Sequence, residues 1–423
     1  MYKYSVHKFF NGLRVLLVPS KESLSFEIKV FVNTGSDFET KRINGISHFL
    51  EHLCFKGTKK RPSNLEITKL LDSVGASYNA YTSREVTSYY AETFKDHKDL
   101  AMDIVSDIYL NSIFPQEEIE KERGVILEEM SMEKDLPPRY IWDLWYKLLY
   151  GDQVAGWSIL GREEVIKKLK REDFLNYSQS QYRSQSTLIA ISGNFSKNQT
   201  LNSLKKYFKD IRKGKRQKKF IVKEKQTKPQ VLLEYKKTDQ THLILGVRTF
   251  NMFDKRRYAL AVLDTIFDGG MSGYLWQLVR EKLGAAYYIS TIGTSYTDRG
   301  YWGIKGGIDN ERVELVLEEI LKEWSKLKKE YLTLANLKKA KDYLKGKIAL
   351  AVENVHSVAS DYAYDLLFKN KIETHKEYLE KINKVTLRDL EKVSHQLLKP
   401  EKLNLAIIGP HKNKEKLLKL LKI

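Results

Sequence analysis

The chain has 423 residues, 42% of them hydrophobic, which is enough for two or more domains with separate cores. Its formal charge of +19 comes from 73 basic residues interleaved with 54 acids along the whole length, without a recognition motif, and this speaks against a nucleic-acid partner. A single cysteine, Cys54, excludes a disulfide within the chain and any cysteine-based zinc knuckle, so metal chemistry has to rest on His and carboxylates.

The opening stretch, MYKYSVHKFFNGLRVLLVPS, lacks the long apolar segment and small-residue cleavage site of a signal peptide. No run reaches the roughly 20 apolar residues of a membrane helix. These features predict a soluble, cytoplasmic protein with no membrane span. The segment 45–58, GISHFLEHLCFKGT, then carries HxxEH. On a helix, positions i and i+4 share a face, so the imidazoles of His48 and His52 can meet one ion with Glu51 beside it. Two neutral imidazoles and a carboxylate suit Zn2+ and leave a coordination position for water, whose pKa the ion lowers toward about 7 and whose proton Glu51 can take. The pattern is the inverse of HExxH. Cys54 reads as a small buried packing residue.

After the Gly-rich turn of SVGASYNAYT (73–82), NAYT followed by REVTSYYAE (84–92) reads as strand with a turn, leading to a helix whose Leu100, Ile104, Val105 and Ile108 recur at helical spacing. The acid-rich stretch 115–135, PQEEIEKERGVILEEMSMEKD, reads as a helix and supplies candidates for a third ligand. Glu122 and Glu129 are two helical turns apart and share a face, so they suit the roles of an acid orienting a ligand and of the ligand itself. Glu128 points away from that face, although a local distortion of the helix would reverse the preference. Most other acids of this run read as a solvated face with Lys and Arg partners.

The most basic stretch, around 211–230, has little apolar periodicity and reads as an exposed linker between domains 1–210 and 231–423. Both halves run in the same order. Gly75 and Tyr78 reappear 209 positions later as Gly284 and Tyr287, and aligning Phe55 on Phe267 sets His48, Glu51 and His52 on Leu260, Leu263 and Asp264. The second copy keeps the pattern without the ligands. The expected fold class is α/β (α+β), two homologous sandwich domains, each a mainly antiparallel sheet with helices packed on one face. The glycines of 268–279, DGGMSGYLWQLV, lack a phosphate-binding fingerprint.

HFLEH followed by ERGVILEEM resembles the pitrilysin or insulinase family of inverted zincins, in particular its small two-domain branch that includes the mitochondrial processing peptidase. The similarity continues through NAYTSREVTSYYAE, SILGREEVI and REKLGAAYY in the family's order. The resemblance implies a zinc endopeptidase with one Zn2+ per chain, held by His48, His52 and Glu129, with Glu51 as base and Glu122 as the acid behind the ligands. It also implies an edge strand at Asn79 and Ala80 that takes the peptide substrate as an added strand, a substrate grip by Arg280 and Tyr287, and a chamber closed by a homodimer or by a heterodimer with a related chain. Tyr288 follows directly, and the seven-residue spacing from Arg280 favours Tyr287. A rival reading is a non-catalytic peptide-binding subunit of the same architecture.

Overall fold

The computed structural model describes residues 2–423. In chain order the first sheet uses β1 (Ser5–Lys8), β2 (Arg14–Pro19), β3 (Ser25–Val32), β4 (Ser77–Thr82), β5 (Thr87–Phe94) and β6 (Thr187–Gly193). Between them run helices α1 (Ile46–Cys54), α2 (Asn64–Asp72), α3 (Lys98–Asn111), α4 (Gln116–Asp135) and α5 (Pro137–Tyr150). The second sheet uses β7 (Gln230–Tyr235), β8 (Gln240–Thr249), β9 (Ala286–Ser295), β10 (Gly300–Asp309) and β11 (Asn404–Gly409). The first sheet has the order β1-β2-β6-β3-β5-β4 and the second β7-β11-β8-β10-β9.

Without β1 the two orders are the same. In both sheets the pairing is antiparallel except for one parallel pair, β2 with β6 and β7 with β11. Gly75 and Gly284 both adopt left-handed φ, at 62° and 55°, in the turns that lead into the edge strands β4 and β9. The repeat seen in the sequence is therefore a repeat of topology.

The central strands are apolar on both faces, as strands covered on both sides must be. In β3, Phe26, Ile28, Val30 and Val32 enter the larger core with α1 and α3, whereas Phe31 enters a second cluster on the opposite face. In β2 and β6 the division is Val15, Leu17, Ile189 and Ile191 against Leu16, Val18, Leu188 and Ala190. The helix Val355–Lys369 covers this second face with Val358, Ala359, Tyr362, Ala363 and Leu366. Likewise α5 sets Ile141, Leu144 and Trp145 against Ile244, Ala406 and Ile408, behind a second sheet whose other face carries Leu243, Leu245, Leu405 and Ile407. Helices on one face thus describe the main layer only, and a single further helix closes each remaining face.

Both closing helices come from the other half of the sequence. One compact unit comprises the chain up to Ser131 with Ser158–Phe220 and Ala351–Glu373, and the other comprises Met132–Trp157, Ile221–Leu350 and Thr374–Ile423. The boundary at Phe220 falls inside the basic connector, whose first part is less solvated than its composition suggests. Lys219 is pinned by Glu85 at 2.5 Å and Asp37 at 3.4 Å, and the Arg216 guanidinium lies 4.4 Å from the centre of the Phe38 ring. Among the described residues no helix is long and apolar enough to cross a membrane.

Candidate metal centre

Helix α1 starts where the backbone turns through Gly45 at φ 96°. A Cβ there would lie 2.6 Å from the Leu160 carbonyl oxygen, and one on Gly161 would lie 2.5 Å from that of Asn44, so two glycines allow the turn around 160 to seat the helix end. The N–H groups of the first turn, which have no partner within the helix, are capped by the side chain of Glu39. Its Oε2 accepts from Gly45 N at 2.7 Å and Asn44 Nδ2 at 2.9 Å, and its Oε1 accepts from Ser47 N at 2.9 Å. Glu39 is fully buried, and burial pushes its carboxyl up to about 7 against the pull of these hydrogen bonds.

Ile46, Phe49, Leu50 and Leu53 anchor α1 in the core, which fixes the opposite phase for His48, Glu51 and His52. His48 Nε2 and His52 Nε2 lie 3.3 Å apart, and Glu129 Oε2 lies 3.7 Å from the first and 3.9 Å from the second. Tetrahedral bonds of about 2.0–2.1 Å require ligand atoms roughly 3.3 Å apart, so a modest inward movement of Glu129 completes three sides of a zinc site. Three convergent donors of two imidazoles and one carboxylate, with atoms all within 4.8 Å of one another, fit Zn2+. Glu128 faces solvent while Glu129 is half-buried, as their places on α4 predict.

Burial, with some repulsion from His52, lowers the His48 pKa to about 3, so this imidazole is neutral, the form that binds a metal. For His52 burial also acts downward, but the hydrogen bond to Glu122 and the charges of Glu51, Glu122 and Glu129 outweigh it and raise the pKa. His52 Nδ1 is 3.0 Å from Glu122 Oε2, and Lys56 Nζ is 2.6 Å from Glu122 Oε1. Glu51 is held above the usual carboxylate range by burial, against a hydrogen bond from Thr82. Its Oε2 is buried without a hydrogen-bond partner, so a proton acceptor stands ready beside the three ligand atoms.

Strand β4 pairs with β5 and forms the sheet edge alongside α1. Asn79 is exposed, Ala80 is nearly buried, and the Ala80 N–H lies 2.8 Å from Asn79 Oδ1. In the second unit Arg280 sits on the π-helical turn Gln277–Lys282 and donates to the Tyr287 carbonyl at 2.5 Å. Tyr287 is 69% exposed, whereas the Tyr288 hydroxyl is engaged with His242 Nδ1 at 2.9 Å. In the helix Arg257–Asp268, the counterpart of α1, Leu263 is fully buried and Asp264 accepts from Trp302 Nε1 at 2.6 Å, so those positions serve packing. Cys54 is buried, and burial pushes its thiol up to about 12, which leaves it inert.

Sequence reasoning missed Glu39, Thr82 and Lys56. Lys56 lies just past the end of α1, and its partner Glu122 is on another helix, so spacing gave no sign of it. Nothing local flags Glu39, because its partners are created by the turn at Gly45.

Comparison with known proteins places these residues in a wider setting. The profile described as Insulinase (Peptidase family M16) matches residues 14–161, and that described as Peptidase M16 inactive domain matches 168–344. A Bacillus subtilis protein named as an uncharacterized zinc protease is 33% identical over 95% of this chain and 97% of its own length. A Rickettsia felis protein with a similar name is 31% identical over 96% of this chain and 98% of its own. A solved structure of a protease from Helicobacter pylori superposes with a TM-score of 0.90 at 23% identity, covering 97% of this chain and all of that one.

Proposed function

Since the chain belongs to the insulinase family of peptidases, M16, we propose that it is a zinc-dependent endopeptidase acting on short or unfolded peptides. The observation that carries this reading is the convergence of His48 Nε2, His52 Nε2 and Glu129 Oε2 beside the buried, unpartnered Oε2 of Glu51. The relatives' naming as zinc proteases agrees with that donor set.

In this reading His48, His52 and Glu129 hold one Zn2+ per chain. The ion supplies Lewis acidity to the peptide carbonyl and the attacking water. Glu51 takes the water's proton at Oε2, where a carboxylate made more basic by burial is better matched to the task near neutral pH. Glu122 keeps His52 turned with Nε2 toward the ion. Substrate lies along the outer edge of β4 near Asn79 and Ala80, held by main-chain hydrogen bonds that do not depend on its sequence. Arg280 and Tyr287 donate hydrogen bonds to the substrate carbonyls and to the developing oxyanion. Two chains, identical or related, close a chamber that admits extended segments and keeps folded domains out.

The test is hydrolysis of a quenched-fluorescent peptide library by the full chain, with chelator, with zinc restored, and beside Glu51→Gln. Chelator-sensitive cleavage is expected, with Glu51→Gln binding zinc normally and losing about 10²–10⁴ in kcat/KM. A wild-type chain that holds stoichiometric zinc and cuts nothing, alone or with a related chain, sinks the catalytic reading in favour of a peptide-binding subunit.

A further inference from the structure

Lys56 follows His52 by four residues, in the turn just past the C-terminal end of α1. Its amide donates to Leu53 O at 3.1 Å. The turn that carries it is fastened at two further carbonyls, Cys54 O by Ser112 Oγ and Phe55 O by Asn64 Nδ2, each at 3.0 Å. A lysine just past a helix end would ordinarily extend into water. This side chain is instead only 24% exposed and ends 2.6 Å from Glu122 Oε1.

Glu122 is itself buried, and its two oxygens are divided, Oε1 to Lys56 and Oε2 to His52 Nδ1. A carboxylate held by one contact can turn about its last side-chain bond, whereas one held at both oxygens cannot turn without breaking a charged pair. We propose that Lys56 is a positioning residue of the metal centre: by occupying Glu122 Oε1 it locks Oε2 onto His52 Nδ1, which fixes the proton on that nitrogen and aims the Nε2 lone pair at the ion. This rests on the metallopeptidase reading above and deepens it by extending the supporting chain one residue beyond Glu122. Lys56 touches neither ion nor substrate and acts through Glu122 alone.

The test uses the full chain as Lys56→Met and Lys56→Arg, with two readouts. In metal-free protein, at a pH where His52 is neutral, long-range nitrogen–proton NMR assigned against His52→Gln reports the tautomer of that ring. The proton should sit on Nδ1 in wild type, be shared between both nitrogens in Lys56→Met, and return to Nδ1 in Lys56→Arg. In competition with a chromophoric chelator, Lys56→Met should bind zinc about tenfold or more weakly, with Lys56→Arg recovering most of the loss. A purely structural ion pair would lower the melting temperature of Lys56→Met while leaving tautomer and zinc affinity unchanged, and that result overturns the proposal. If wild type itself fails to bind zinc, the metallopeptidase reading falls, and the tautomer of the metal-free chain still decides the role of Lys56.

Discussion

Glu128 and Glu129 are adjacent in sequence and opposite in surroundings, one exposed on α4 and one turned toward the imidazoles. Replacing each with Gln separates a ligand from a bystander: Glu129→Gln should weaken zinc binding by 10-fold or more, about the loss seen when the support of a metal site is removed, and Glu128→Gln should leave it unchanged. Equal zinc affinities in the two variants would place the third ligand elsewhere. Glu39 makes a different prediction. Burial raises its folded pKa to about 7, above the ordinary carboxyl value of 4.5. Between those values the folded chain keeps a proton that the unfolded chain has released, so the group's contribution to stability is complete below the ordinary value and is lost as the pH rises through about 7. The unfolding free energy of wild type relative to Glu39→Gln should therefore fall between about pH 5 and pH 8, by up to about 3 kcal/mol at 1.36 kcal/mol per pKa unit. Parallel profiles in urea titrations would show that the carboxylate is charged in the folded chain throughout.

At the scale of elements, α1 is only as well placed as its first turn. Gly45 and Gly161 approach each other so closely that a Cβ on either meets a backbone atom under 3.0 Å, and both have left-handed φ, 96° and 92°. Gly45→Ala should thus combine φ strain with a displacement of the α1 start, costing about 1–3 kcal/mol in urea denaturation and weakening zinc binding with it. Full zinc affinity in a destabilised Gly45→Ala would separate the seat of the helix from the aim of its histidines. The candidate ligands on α1 and α4 were brought to notice because helical spacing puts His48 on one face with His52 and Glu122 on one face with Glu129. The edge strand near Asn79 was legible as a strand, from its Tyr-rich alternation and the turn before it. The segment SILGREEVI gave no physical sign of its task, since the reason for its glycine is the backbone of Asn44 across the turn. Lys56 was hidden for a similar reason: its partner sits on another helix, and sequence spacing speaks only of neighbours on the same one.

At the scale of the whole molecule, the duplication could be read from Gly75 and Gly284, and the common strand order then follows as one fold used twice. The exchange of α5 and Val355–Lys369 could not be read. An amphipathic helix announces that one face is buried without saying against which sheet, and both helices have to cross from one sequence half to a unit built mostly from the other. The nearest hint was in the strands: Thr187–Gly193 and Asn404–Gly409 are buried along their whole length, a pattern that requires cover on both faces. The exchange makes a strong prediction about fragments. A chain ending at residue 220 keeps α1, α4 and every candidate ligand but lacks Ala351–Glu373, leaving Leu16, Val18, Phe31, Val86, Leu188 and Ala190 without their covering helix. Re-exposing these side chains, at roughly 1.5–3 kcal/mol for each of the larger ones, forfeits about 10 kcal/mol, comparable with the whole stability of an ordinary domain. The fragment should show no cooperative thermal transition and hold zinc poorly, and supplying residues 351–373 as a tethered segment should reverse both defects. Cooperative unfolding of the fragment alone would mean that the face behind β2, β3 and β6 tolerates water, and the exchanged helix would then be an ornament of the unit and not one of its structural requirements.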